Sequence, residues 1–179
     1  MRHFFVLILL LITSALKAQV SYQLLSETEG FPTKEIYQVY IDSKGYLWIG
    51  HAMGISRYNG NRFTHYNNPQ QNSLGISNII EDAKGRIWCR NFGAQIFYIE
   101  NNQMHLLEAY DWKTQFNFPC IALDDNGNLL ANHRNGVFVY NIEHKTAEII
   151  KPDNTPIGFQ INTIAKLTPD NKVHLKQAV

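Results

Sequence analysis

The hydrophobic positions of this chain fall into short runs separated by polar turns. Ile36-Tyr37-Gln38-Val39-Tyr40-Ile41 is β-branched and aromatic, the composition of a strand. Asp42-Ser43-Lys44-Gly45 follows as a tight turn. Asp in the first position can bond its side chain to backbone N–H groups two residues on, and Gly in the fourth takes a positive φ at no steric cost. Tyr46 to Gly50 reads as a second strand with Trp48 as its large apolar residue, Gly54 to Tyr58 as a third, and Arg62 to Tyr66 as a fourth. Asn59-Gly60 between the last two is a two-residue hairpin signal. The result is a small antiparallel meander. Alone it cannot bury its faces; stacked on similar units it can.

The pattern recurs along the chain. Asp42, Gly45, Trp48, Gly50, Gly54, Tyr58 and Gly60 define the first copy. Asp82, Gly85, Trp88, Gly93 and Tyr98 align as the second, and Asp124, Gly127, Gly136 and Tyr140 as the third, with Leu130 where Trp would stand. A fourth begins at Asn162 and has Asn171 at the turn-Gly position. These turn positions (45, 85, 127, 171) are 40, 42 and 44 residues apart, a period that fits four short strands per propeller blade. The expected fold is all-β: blade repeats at roughly 31–66, 74–107, 117–150 and 158–179, forming an incomplete propeller of about 3.5–4 blades. Because the Trp and Tyr residues recur at the repeat period, packing between blades is the first reading for them. A sugar-stacking platform is the alternative, and it would require rings exposed at one mouth of the ring of blades.

The N-terminus has a different character. Met1-Arg2-His3 precedes an apolar run of nine residues, Phe4 to Ile12, and then the small-residue sites ending at Ala15 and Ala18. This is the layout of a secretory signal peptide over 1–18, with cleavage after Ala18, or alternatively after Ala15, and residues 19–179 forming the exported domain. A membrane-spanning helix needs about 20 apolar residues, roughly twice the run present. Export implies an oxidising compartment. Cys89 and Cys120 each lie in or beside an apolar stretch and read as two separate buried thiols, with a disulfide as the lesser reading.

Charge narrows the partners further. The net charge is +1 with the signs mixed along the chain, and no basic stripe points to nucleic acid. Acidic pairs at Glu27/Glu29, Glu108/Asp111 and Asp124/Asp125 read as solvated or turn-forming rather than as a paired-carboxylate site. The alternating ligand pattern and closing Glu of a calcium loop are missing at Asp124-Asp125-Asn126-Gly127. The seven His residues have no metal-pair spacing on one element; His51 and His133 fall at similar repeat positions and are either strand-end residues or a cluster lining one face. No catalytic residue, metal ligand or cofactor is assigned from the sequence, and the ligand-binding residues are left open.

The run Gly30-Phe31-Pro32 … Asp42-Ser43-Lys44-Gly45-Tyr46-Leu47-Trp48-Ile49-Gly50 … Gly54-Ile55-Ser56-Arg57-Tyr58-Asn59-Gly60 … Phe63 closely resembles the two-component regulator propeller repeat. The resemblance covers roughly residues 22 to 179 and weakens toward the C-terminus: the second copy has Cys89-Arg90 where Ile-Gly is expected, and the fourth is degenerate. It implies a periplasmic, ligand-sensing and itself non-catalytic segment of a sensor histidine kinase, membrane-tethered in the full protein, with downstream kinase modules in the same polypeptide. It also implies an unknown small ligand, with oligosaccharide as one class, and pairing of two propellers as a homodimer. A polysaccharide or lactone lyase of propeller fold, and a structural or adhesive secreted protein, are the alternatives. On repeat count, the chain is expected to be the N-terminal piece of a longer protein: Ser21 to Leu25 reads as an outer strand without its own blade, and the fourth repeat stops after two strands.

Overall fold

The computed structural model describes residues 30–115 and 118–151. The expected signal peptide at 1–18, leading strand at 21–25 and fourth repeat at 158–179 fall outside the described residues. Among the described residues three blades are present. The first holds β1 (Ile36–Ile41), β2 (Leu47–His51), β3 (Gly54–Tyr58) and β4 (Phe63–Tyr66). The second holds β5 (Ile76–Glu81), β6 (Ile87–Asn91), β7 (Ile96–Glu100) and β8 (Gln103–Leu106). The third holds β9 (Ile121–Leu123), β10 (Leu129–His133), β11 (Gly136–Asn141) and β12 (Thr146–Ile150), preceded by a 3-10 turn at Trp112–Thr114. Each blade is a four-stranded antiparallel sheet in sequence order, and among the described residues the three sheets form an open row rather than a closed ring. β5 lies beside β1 and β2, and β9 beside β5, so the first strand of each blade lines the inner edge.

Strand alternation decides which face of each blade meets which neighbour. In blade two, Ile87, Cys89, Phe97 and Ile99 point toward blade one, where they pack with Trp48, Ile55 and Tyr66. Trp88 and Ile96 point the other way and pack with Leu129, Ala131, Phe138 and Tyr140 of blade three. Trp48 and Trp88, at 3% and 1% exposure, therefore each fill the seam to the following blade. Burying one such ring stabilises by several kcal/mol (~3–5 on truncation to Ala). On the opposite side of blade one, Val39 and Ile41 share the face of Ile49 and Leu47 and are 59% and 68% exposed. Among the described residues no sheet covers that face.

Two of the aligned repeat positions shift. Tyr58 pairs with Leu47 and Tyr140 with Leu129, each five residues past the turn Asp. In blade two the residue in that place is Ile99, opposite Ile87, while Tyr98 pairs with Trp88. Likewise Gly54 and Gly136 open their strands opposite His51 and His133, but Gly93 lies inside a longer hairpin, where Asn91 N–H donates to the Gln95 carbonyl. One extra residue between β6 and β7 moves both positions.

Candidate functional site

Each blade is folded around one turn carboxylate. Asp42 Oδ1 accepts from the backbone N–H of Lys44 (3.0 Å) and Tyr46 (2.8 Å), and Oδ2 accepts from Trp48 Nε1 at 2.8 Å. Asp82 repeats this with Lys84, Arg86 and Trp88, the indole bond again 2.8 Å, and adds Arg86 Nε at 2.7 Å. In blade three, where the Trp is lost, Asn128 Nδ2 supplies the Oδ2 partner of Asp124 at 2.9 Å. Burial works against an ionised Asp82, but hydrogen bonds from Trp88 and Arg86, with the Arg86 charge, outweigh it and hold the carboxyl below its ordinary range. Gly45, Gly85 and Gly127 close the three turns at φ +81°, +77° and +77°. The Asp42 and Asp82 turns are thus tied through their Trp partners to the blade seams, a link that turn chemistry alone does not reveal.

A second repeated device joins the blades at their inner edge. Four residues before the turn Asp, Gln38 donates Nε2 to the Ile79 carbonyl (3.3 Å) and accepts from the Ile79 N–H (2.7 Å). Asn78, in the same place in blade two, donates to the Ile121 carbonyl (3.1 Å) and accepts from its N–H (2.7 Å). Each amide thereby takes the place of a strand neighbour for the next blade. Gly50 permits the close approach of the first seam, since a Cβ there would sit 2.5 Å from the Ile76 carbonyl oxygen.

Antiparallel order separates the ends of the row. The β1–β2 and β3–β4 turns, and their equivalents, lie at one end with the Asp turns. The β2–β3 hairpins and the connections between blades lie at the other. At this crossover end His51, Asn91 and His133 hold one repeat position, nine residues past the turn Asp. Each accepts from the N–H two residues on: Met53 to His51 Nδ1 (3.2 Å), Gly93 to Asn91 Oδ1 (3.0 Å), Asn135 to His133 Nδ1 (3.2 Å). His51 and His133 are thus strand-end caps of their hairpins. His51 is 1% exposed, and its Nε2 lies 2.7 Å from Ser56 Oγ, which lies 2.7 Å from His65 Nδ1. Because Nδ1 of His51 accepts, Nε2 carries the proton and donates to Ser56. Burial, with the neighbouring His65, lowers His51 to about 4.

The same end carries exposed aromatic surface from all three blades. Tyr37 (42% exposed), Phe92 and Phe118 (53% exposed) touch in sequence, with ring centroids 4.8 and 5.3 Å apart. The sequence reading missed this group, because none of its members recurs at the repeat period. Beyond it, an open groove of about 370 Å³ is lined by Tyr98, His105 and Tyr140, with Tyr98 stacked on His105 at 5.0 Å. Cys89 is buried and Cys120 half-buried, and both are free thiols; burial pushes the Cys89 thiol far up, which leaves it unreactive. Among the described residues, no group of three His, Cys, Asp or Glu is placed to hold a metal ion.

Comparison with known proteins identifies the repeat. Residues 30–52, which span the Asp42 turn, Trp48 and Gly50, match the family described as two component regulator propeller. The first blade carries a two-component regulator propeller repeat. Solved structures resemble the whole row of blades. One is an extracellular domain assigned to a hybrid two-component system of B. thetaiotaomicron, 16% identical with a TM-score of 0.62, aligned over 80% of this chain and 22% of that one. Another is virginiamycin B lyase of Staphylococcus aureus, 20% identical, TM-score 0.61, over 80% and 50%. A third is an extracellular domain assigned to a one-component system of B. thetaiotaomicron, 20% identical, TM-score 0.58, over 81% and 20%. At these identities the likeness is one of fold, and the propeller-repeat chain spans between about a fifth and a half of the structures it matches. No curated protein matches it.

Proposed function

We propose that this chain is the extracytoplasmic sensing segment of a two-component regulator, exported behind residues 1–18 and itself non-catalytic. The propeller repeat at residues 30–52 carries this reading. Extracellular domains assigned to one-component and hybrid two-component systems, built of the same blades, support it. Its partners are a small ligand at the crossover end and the kinase modules of the same polypeptide. The seams suit such a role. Amide clamps and the buried Trp48 and Trp88 rings join successive blades, so a ligand that favours one blade arrangement biases the row.

Likeness to virginiamycin B lyase favours a second reading, a propeller enzyme. The two separate on product formation. A ligand of the exported chain recovered unchanged by mass spectrometry after prolonged incubation supports sensing. Its conversion to an elimination product would replace sensing with catalysis.

A further inference from the structure

The second seam breaks the repeat at one position. Eight residues past the turn Asp, blade one has Gly50, which lets the Ile76 backbone come close. Blade two has Arg90 there. Six residues before the turn Asp, the counterpart of Ile76 is Phe118. A guanidinium in place of a hydrogen prevents the same approach. Accordingly β5 begins at Ile76, whereas β9 begins only at Ile121, three residues later in the repeat.

The Arg90 guanidinium lies over Phe118 and Phe92, 5.3 and 5.5 Å from the ring centroids. Its Nε and Nη1 are buried without a hydrogen-bond partner among the described residues, and so is Oγ of Ser77. Ser77 is the direct cross-strand neighbour of Arg90, on the same face of the sheet. No carboxylate among the described residues pairs with Arg90, whereas Arg86, four residues earlier, pairs with Asp82 and Glu100. Leaving such donors buried and unmatched is costly. The Phe92 ring is seated deliberately. The Phe92 backbone N–H donates to the Gly75 carbonyl at 3.1 Å, and a Cβ on Gly75 would lie 2.7 Å from the ring.

The geometry points to a binding site in the second seam for a ring compound bearing a carboxylate: the carboxylate accepts from Arg90 and Ser77, and the ring lies on Phe118 and Phe92. Donors without acceptors call for an anion, and a carboxylate offers about four lone-pair sites to them. Aromatic faces beside the cation call for a ring with an apolar face, which both uronic acids and aromatic acids possess. This inference deepens the sensor reading and rests on it only for the site's role.

Titration calorimetry of the exported chain tests it, with sodium galacturonate and sodium benzoate as probes and galactose as the neutral control. Saturable binding of at least one acid, without galactose binding, is expected, and which acid binds identifies the source of the ring. Arg90→Met, which removes two buried, unmatched donors and keeps an apolar side chain against the rings, is expected to fold at least as stably and should weaken binding by roughly 10-fold or more. Phe118→Ala, at an exposed position, should weaken it without loss of stability. Absence of binding by both acids, or wild-type affinity in Arg90→Met, overturns the site. An acid that binds yet leaves phosphorylation of the natural protein unchanged would instead count against the sensor reading and leave the site standing.

Discussion

Gln38 holds both backbone groups of Ile79, forty-one residues away and in the next blade, with one side-chain amide. Asn78 does the same to Ile121. Truncating either amide leaves a backbone donor and acceptor in the seam unmatched, at roughly 1–3 kcal/mol per group. Urea unfolding of Gln38→Ala should show a loss of about 2–6 kcal/mol. Hydrogen exchange at the Ile79 amide should quicken while that at Ile121 does not. Equal protection of Ile79 in both proteins would show that the clamp carries no load.

The indole bond can be separated from the indole's bulk. Trp88→Phe keeps an aromatic ring in the second seam but removes the 2.8 Å bond to Asp82. A hydrogen bond to a charged group is worth about 1.5–3 kcal/mol, and the smaller ring adds a packing loss. Trp88→Phe combined with Asp82→Asn, measured as a double-mutant cycle, should show coupling, because the lone Phe variant leaves Oδ2 with fewer donors. Strict additivity would contradict the bond.

Gly50→Ala should be far more damaging than most surface changes in this protein. The new Cβ meets a backbone carbonyl at 2.5 Å, which no rotamer change relieves. Thermal unfolding should fall by several degrees, as about 1 kcal/mol shifts the midpoint of a domain near this size by roughly 2–4 °C. An unchanged midpoint would mean that the first seam is looser than it appears.

Stability should depend on pH in a window set by His51. Its folded value, about 4, lies below the ordinary 6.5, so the unfolded chain takes up the proton first as pH falls. The contribution is complete above about pH 6.5 and is lost progressively down to about pH 4. His133, lowered by burial and by Arg134, acts in the same direction. Asp82, whose carboxyl is held low, adds a loss only at still more acid pH, as its folded form is protonated. His51→Asn keeps the hairpin cap in the form that Asn91 uses and should flatten the slope between pH 6.5 and 4. A slope as steep as in the wild type would place the effect elsewhere.

Much of this architecture was legible in the sequence. β-branched runs and Asp-x-x-Gly turns gave the strands of blade one to within a residue, because turn chemistry is local. The recurrence of Trp48 and Trp88 announced seam packing. Tyr98 and Gly93 were misplaced because a single inserted residue in the β6–β7 hairpin cannot be seen without the register. The amide clamps were hidden for another reason. Gln38 and Asn78 differ in type, and their partners are backbone groups, which leave no mark in sequence. Arg90 was visible as a departure from Ile-Gly, but its meaning depends on Phe118 and Ser77, which only the fold brings beside it.

The sensor account is tested most directly on the natural polypeptide that carries this chain, in membrane vesicles supplied with labelled ATP. ATP-dependent histidine phosphorylation is predicted, together with a changed level when residues 30–151 are deleted. Absence of phosphorylation, or a level indifferent to loss of the blades, would contradict the account.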